Sequence, residues 1–397
     1  MTGQVVETAR RDETRAVWML ALGQMLGYAC FFYIFAALIL YWRADLHWND
    51  GVLAGGLTLA IIVAACIAPI SGRAVDRGQA ALVLAGGAAI GALSLAVLAV
   101  AHHPAVYLLA WAGLGVAQAA SLYEPCFALM IQRFGADARA AITRVTLIGG
   151  FASTFAFPAG AVLAEAFGWR AAVWAAAAVA AGIVVPLNLI GARRLARSAG
   201  AAGMESPKTR PALWSLVRHW PFLRLALLFS LLALGHWMLV SFLRPVLAGV
   251  GVPDRLAVAA AATIGPAQVA GRLALMAAGV RLGGRAALMM TLAGFVVAPL
   301  VLMAAGVATP LIFGFALLQG AANGVLTILR PLLIAEDLGS ESFGAISGLM
   351  SIPTLAASAV APVLGAGLLA LGGWGLLVAV VGSLSVAALA LALAPRG

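Results

Sequence analysis

Twelve apolar runs, each long enough to cross the hydrocarbon core of a bilayer, alternate with short polar breaks along the 397 residues of this chain. A helix rises about 1.5 Å per residue and the core is about 30 Å thick, so about 20 apolar residues make one crossing. The runs lie near 17–41, 51–70, 80–101, 105–131, 145–164 and 170–191, then near 219–247, 257–280, 286–306, 310–335, 344–370 and 375–394. In lipid each backbone N–H and C=O must be satisfied inside its own segment or a closed barrel, and runs of this length specify helices. The expected fold class is therefore an all-α membrane protein with 12 transmembrane helices. Composition leaves little room for anything else. Hydrophobic residues make up 64% of the chain and charged residues only 10%, against about a quarter charged in soluble domains. The first run is read as a real span, because Glu7, Asp12 and Glu13 stand among its leading arginines and no cleavage site follows a short apolar core.

The runs group as six, a linker, and six. This predicts an N-terminal six-helix half over 1–191, a linker over 192–218 and a C-terminal six-helix half over 219–397. The linker holds Arg193, Arg194, Arg197, Lys208 and Arg210 with Pro207 and Pro211. The halves repeat each other, with Pro125 and Pro331 at equivalent places in spans four and ten, Pro158 and Pro362 in spans five and eleven, and Trp169 and Trp374 in the loops that follow. Two parallel, pseudo-symmetric halves imply a solute site near the bilayer midplane between them. The formal charge of +10 is not read as a nucleic-acid footprint, because the basic residues sit between apolar runs. Arg10, Arg11, Arg15, Arg73, Arg77, Arg133, Arg139, Arg144, Arg281, Arg285 and the linker cations fall on one set of alternate loops. The bias of Lys and Arg toward the cytoplasm places both termini there. Arg43, Arg170 and Arg255 lie near the other face. Arginine predominance and high alanine content point to a bacterial inner membrane.

Cys30, Cys66 and Cys126 fall singly within apolar runs, without a CxxC pair, and read as small buried hydrophobes. No metal site and no cofactor are expected. No GxxxxGK[ST] loop is present, so energy would come from gradients. HExxH, paired catalytic carboxylates and a G-x-S-x-G elbow are also missing, which argues against an enzyme.

The loop Gly72-Arg73-Ala74-Val75-Asp76-Arg77-Gly78 resembles the G-x-x-x-D-R-x-G loop between spans two and three of the major facilitator superfamily, with Gly78 directly after Arg77 and with Gln79 and Ala80 in place of its trailing basic residues. The resemblance implies the major facilitator fold. It also implies a gating role for Gly72, Asp76 and Arg77, with Asp76 accepting hydrogen bonds at a helix N-terminus and the loop locking the outward-facing state. The second half keeps only Gly283, Gly284 and Arg285 at the matching loop. Gly113 to Arg170, with Pro125, Arg139, Gly149, Gly150, Pro158 and Trp169, and Gly265 to Leu273, with Arg272, are similar to the monocarboxylate and oxalate–formate carriers. That similarity implies Arg272 as a ligand for a carboxylate. A lysine in span one or eleven, which such carriers often use, is absent, since Lys208 is the sole lysine.

Charge inside hydrocarbon costs at least about 2.5 kcal/mol, which makes intramembrane ionisable residues functional candidates. Arg272 shares a helix face with Gln268 and Gly265 and reads as a solute ligand or as a structural clamp on a carbonyl or acid. Glu124 and Arg330 precede the equivalent prolines with opposite charge, which suits an ion pair acting as a cytoplasmic gate, or two side chains reaching the interface independently. Gln24, Tyr28 and Phe31 in span one, Trp237, Ser241 and Arg244 in span seven, and Asn323, Thr327 and Arg330 in span ten form further one-face sets. Arg244 would attract an anion or anchor to headgroups, and His236 would couple protons or satisfy a carbonyl.

These residues predict a secondary active transporter working by alternating access on a small, monocarboxylate-like organic anion. Arg272, Gln268, Tyr28, Gln24, Asn323 and Trp237 would bind solute, and Glu124, Arg330, Asp76, Arg77 and Gly72 would gate or couple. Protons are a possible coupling ion and Glu124 their best acceptor. The partners expected are the solute and the lipid bilayer, and no nucleic acid, with the chain acting as a monomer. An exporter of drugs or other toxic compounds, including metalloids, is the competing reading. A non-transporting sensor or a channel is the bland one.

Overall fold

A computed structural model describes residues 2–200 and 217–395. Every regular element among them is helical. Ten continuous apolar helical segments result, but two of them, Asp50–Ala99 and Phe343–Leu393, run for 50 and 51 residues. At about 1.5 Å per residue each is about 75 Å long, more than twice the hydrocarbon core, so each must cross twice. The backbone marks the break in both. Gly78 sits at φ +82° in the first, and Gly372 and Gly373 leave helical geometry in the second. Ten segments with two of them doubled give twelve spans, in agreement with the twelve apolar runs.

We number them α1 (Arg11–Leu46), α2 (Asp50–Ala74), α3 (Ala80–Ala99), α4 (Pro104–Phe134), α5 (Ala138–Phe167), α6 (Trp169–Arg197), α7 (Trp220–Ser241), α8 (Asp254–Ala278), α9 (Gly284–Ala304), α10 (Leu311–Leu338), α11 (343–371) and α12 (374–393). Local chemistry sets the ends. His47 in the left-handed region stops α1, Asn49 caps α2 by accepting from the Gly51 N–H at 2.7 Å, and Pro104 opens α4 behind a capping His103. The helix of α6 continues through Gly200, beyond the start of the linker read from sequence at 192. Its last turns are amphipathic, with Ala192 and Leu195 buried and Arg193, Arg194 and Arg197 exposed. Lys208, Arg210, Pro207 and Pro211 lie outside the described residues.

The chain divides into two compact units. One comprises Met1–Arg210 with Gly339–Leu349, the other Pro211–Leu338 with Met350–Gly397. The first turns of α11 thus belong with the N-terminal unit. That unit has an aromatic core in which Trp42 meets Tyr107, Trp111 and Trp169 edge to face at 5.8–6.2 Å. Tyr107 also donates its hydroxyl to the Leu53 carbonyl at 2.8 Å, tying α4 to α2. At the same end, Asp45 accepts from Trp169 Nε1 and from Arg170, each at 2.8 Å. The second unit has a mainly aliphatic core around Val246, Leu247, Leu302, Ile312 and Val378, with Phe315 among them.

Each unit also carries an ion pair joining the start of its first helix to the end of its fourth, with the signs exchanged. Glu13 meets Arg133 between α1 and α4, and Arg224 meets Asp337 between α7 and α10. The second pair is buried, with side-chain exposures of 5% and 3%. Arg224 also donates to the Ala394 carbonyl at 3.3 Å, which seats the end of α12. Removing one partner of a buried pair leaves an uncompensated charge and typically costs about 3–5 kcal/mol, whereas removing both is far cheaper. Arg224→Met is therefore expected to lower the detergent-solubilised melting temperature sharply, and Arg224→Met combined with Asp337→Leu to recover most of the loss. A single variant melting with the wild type would contradict this role.

Candidate solute site

The site residues divide between the two units. In the C-terminal unit, α7, the short helix Leu243–Gly249 that follows it, and α8 line an open cavity of about 890 Å³, large enough for a small-molecule solute. Its polar lining is His236, Trp237, Ser241, Arg244, Asp254 and Gln268. Periodicity explains the arrangement. Trp237, Ser241 and Arg244 recur on one face of the α7 region, and Gly265 and Gln268 on one face of α8. Arg244 and Asp254 pair at 2.8 Å with both side chains largely exposed. The His236 ring lies 3.2 Å from Gln319 on α10 and edge-on to Trp237.

Arg272 stands one turn beyond Gln268 and is not among the lining side chains. It is 4% exposed, and its Nε donates to the Gly324 carbonyl of α10 at 3.3 Å. Thr327 donates to the same carbonyl at 2.7 Å. The Arg272 guanidinium therefore ties α8 to α10 one turn behind Gln268. Asn323 is half-buried beside Gly324, also outside the lining. Arg330 donates to the Ser351 hydroxyl at 3.0 Å and lies 5.7 Å from the Phe229 ring.

In the N-terminal unit the equivalent prolines prove unequal. Pro331 lies inside a continuous α10, but α4 is broken at Leu122, whose backbone is extended. Pro125 has no N–H to offer the Ser121 carbonyl four residues back. Gln24 takes that carbonyl instead, donating from Nε2 at 2.8 Å. The buried amide of Gln24 is therefore a partner of the α4 break. The break also makes Glu124 a first-turn residue of a new helix, Tyr123–Phe134, where the helix dipole favours its carboxylate. Glu124 accepts a hydrogen bond from the Ser347 hydroxyl. Tyr28 lies across from this break, with its ring 4.5 Å from that of Tyr123.

The loop Gly72–Gly78 meets the N-terminus of α11. Asp76 accepts from the Gly344 N–H at 2.9 Å through Oδ1 and from the Ala345 N–H at 2.8 Å through Oδ2. Gln132 of α4 also donates to Oδ1, at 2.9 Å. A carboxylate here meets two otherwise orphaned donors and the positive end of the dipole. Gly72 lies flush on the Gly344 backbone, leaving no room for a side chain, while Arg77 is exposed.

Several of these partners escaped the sequence reading. Ser347, Gln132 and Ser121 carry no motif, and pairing them needs the fold. Gln319 is different, since it lies one turn before Asn323 on the face already marked by Asn323 and Thr327. Among the described residues no cluster of three or more His, Cys, Asp or Glu side chains suits a metal ion.

No curated protein sequence matches the chain. Among solved structures, the crystal structure of a bacterial homologue of the iron transporter ferroportin in the outward-facing state is similar, with a TM-score of 0.66 and 16% identity, covering 96% of this chain and 98% of that one. At that identity the likeness shows the fold. The family model of the Major Facilitator Superfamily matches residues 20–352, well over half the sequence. Twelve spans, an all-helical fold and that match together establish that this chain belongs to the Major Facilitator Superfamily of membrane transporters.

Proposed function

We propose that this transporter is a secondary active carrier that moves a small organic anion of the monocarboxylate type by alternating access. The observation that carries this reading is the α7–α8 cavity, where Gln268, Ser241, His236 and Arg244 supply polar contacts for a small anion. Gln268 and Trp237 bind solute in this proposal, and Arg272 ties α8 to α10 behind them. Tyr28 on α1 and Asn323 on α10 lie outside this lining, and Gln24 holds the α4 break.

Glu124 and Arg330 form the charge-sensitive gate in this proposal. Glu124 is held by the Ser347 hydroxyl in the N-terminal unit, and Arg330 by the Ser351 hydroxyl in the C-terminal unit. Protonation of Glu124 would weaken its hold and couple the movement of α11 to protons. Asp76 fixes the first turn of the same helix. Both termini are assigned to the cytoplasm of a bacterial inner membrane, from the arginine-rich alternate loops, and the chain acts as a monomer. The similar structure is that of a homologue of an iron transporter, and among the described residues no cluster of three or more His, Cys, Asp or Glu side chains suits a metal ion, so iron is not the cargo proposed. Export of apolar toxic compounds is a second reading, favoured by the aromatic surface around Tyr28 and Tyr123.

Three outcomes test the proposal. Proteoliposomes should take up radiolabelled monocarboxylates saturably, with KM raised at least about tenfold by Gln268→Ala and uptake lost in Arg272→Ala; extrusion of apolar compounds with no carboxylate flux would replace the anion reading by the exporter. Glu124→Gln should abolish proton-driven accumulation yet keep solute exchange, and unchanged proton-driven accumulation would remove Glu124 from coupling. Hydrogen bonds to a charged group contribute about 1.5–3 kcal/mol. Asp76→Asn should accordingly raise the maleimide labelling rate of a cysteine placed at Ala345 by at least about tenfold, and equal rates would show that the loop does not hold α11.

A further inference from the structure

We propose that Gln319 fixes the tautomer of His236, so that the His236 Nε2–H is the donor by which the α7–α8 cavity selects a solute carrying an acceptor oxygen. The inference rests on the carrier reading above and names the atom and the solute group that meet in that cavity.

A neutral imidazole holds one proton on two nitrogens, and the partner of one nitrogen decides which of them carries it. His236 Nδ1 lies 3.2 Å from Nε2 of Gln319 on α10. An amide nitrogen can only donate, so Nδ1 accepts and the ring proton sits on Nε2. A doubly protonated ring would set two donors against each other at that distance. Gln319 is well placed to impose this choice. It is 1% exposed and follows the buried Phe315 and Ala316 by one turn, so its amide is packed among core side chains of the same unit. Gln319 is thus a positioning residue that acts on solute through His236.

The other side of the ring is open. His236 lines the cavity with Trp237, Ser241 and Gln268, and among the described residues its Nε2 has no hydrogen-bond partner. Trp237 meets the ring edge-on, with centroids 5.8 Å apart. His236 stands about 24 Å along α7 from Trp220, still at membrane depth in a core about 30 Å thick. A donor there is unfavourable unless the contents of the cavity meet it. An acceptor oxygen of the solute does so, and a solute without one leaves the N–H unpaired, which is how a polar site rejects an analogue of the same shape. The charged side chains of the lining, Arg244 and Asp254, pair with each other at 2.8 Å. The selection made at His236 is accordingly one of hydrogen-bond sense and not of net charge.

The test measures binding of propionate, propionamide and propylammonium, which share a shape, to the purified full-length protein by calorimetry. The first two carry an acceptor oxygen and should bind at least about tenfold tighter than propylammonium. His236→Asn keeps an amide at the place of Nδ1 but empties the cavity side, and should weaken propionate at least about tenfold, whereas His236→Gln restores a donor near the place of Nε2 and should stay within about threefold of wild type. Both variants should melt with the wild type, which separates this effect from a loss of structure. Nitrogen NMR of histidine-labelled protein in liposomes provides a readout independent of binding. The His236 signals, identified by their loss in His236→Gln, should show a bare Nδ1 and a protonated Nε2, and Gln319→Leu should let the second tautomer appear. If propionate fails to bind but propionamide binds and is weakened by His236→Asn, the anion reading falls and the selection stands. A protonated Nδ1 in the wild type, a single unchanged tautomer in Gln319→Leu, equal losses in the Asn and Gln variants, propylammonium binding as tightly as the others, or no binding of either acceptor probe overturns the inference.

Discussion

A bilayer offers the backbone no hydrogen-bond partner, and this constraint organises the whole molecule. Regular helices meet it by themselves, so the informative places are those where a helix is not regular. At three of these a side chain supplies what water would supply elsewhere. Gln24 takes the Ser121 carbonyl released by Pro125, Gln118 donates to the Phe31 carbonyl within the π-turn Ala29–Tyr33 of α1, and Asp76 takes the first N–H groups of α11. The irregular turns are also where Tyr28, Glu124 and the start of α11 sit. Structural need and candidate function therefore fall on the same few residues, because a broken helix is both expensive to keep and the one way to present polar groups at membrane depth.

Electrostatics follows the same economy. The described charges at the ends of α1, α4, α7 and α10 are paired within their own unit, and the sign reversal between Glu13–Arg133 and Arg224–Asp337 shows that the pseudo-symmetric halves conserve the tie and not the residue. The deep guanidinium of Arg272 donates to the Gly324 carbonyl and so joins α8 to α10.

Much of the fold was legible in the sequence, because the signal was long and redundant. Runs of about 20 apolar residues cannot be confused with anything else, and even the two segments that form single long helices betray their second crossing through Gly78 and through Gly372 and Gly373. The limits of α6 were less legible, since Arg193, Arg194 and Arg197 look like a linker by composition while Ala192 and Leu195 keep the helix packed. The site was legible only in part. Gln268 and Trp237 were marked by periodicity and line the cavity, whereas Arg272 shares their face in a helical projection yet turns toward Gly324 of α10. Equivalent prolines suggested equivalent local structure, but α4 breaks and α10 does not. Ser347, Gln118 and Gln132 act through partners far away in the chain, and spacing alone contains no record of such pairs.

The proposed carrier exposes one solute site in turn to the two sides of the membrane. Counterflow tests this most directly. Proteoliposomes loaded with unlabelled carboxylate and diluted into a trace of the labelled one, with no ion gradient, should accumulate label transiently above its equilibrium level and then lose it. A monotonic approach to equilibrium, insensitive to the internal load, would contradict a carrier and indicate a channel-like path.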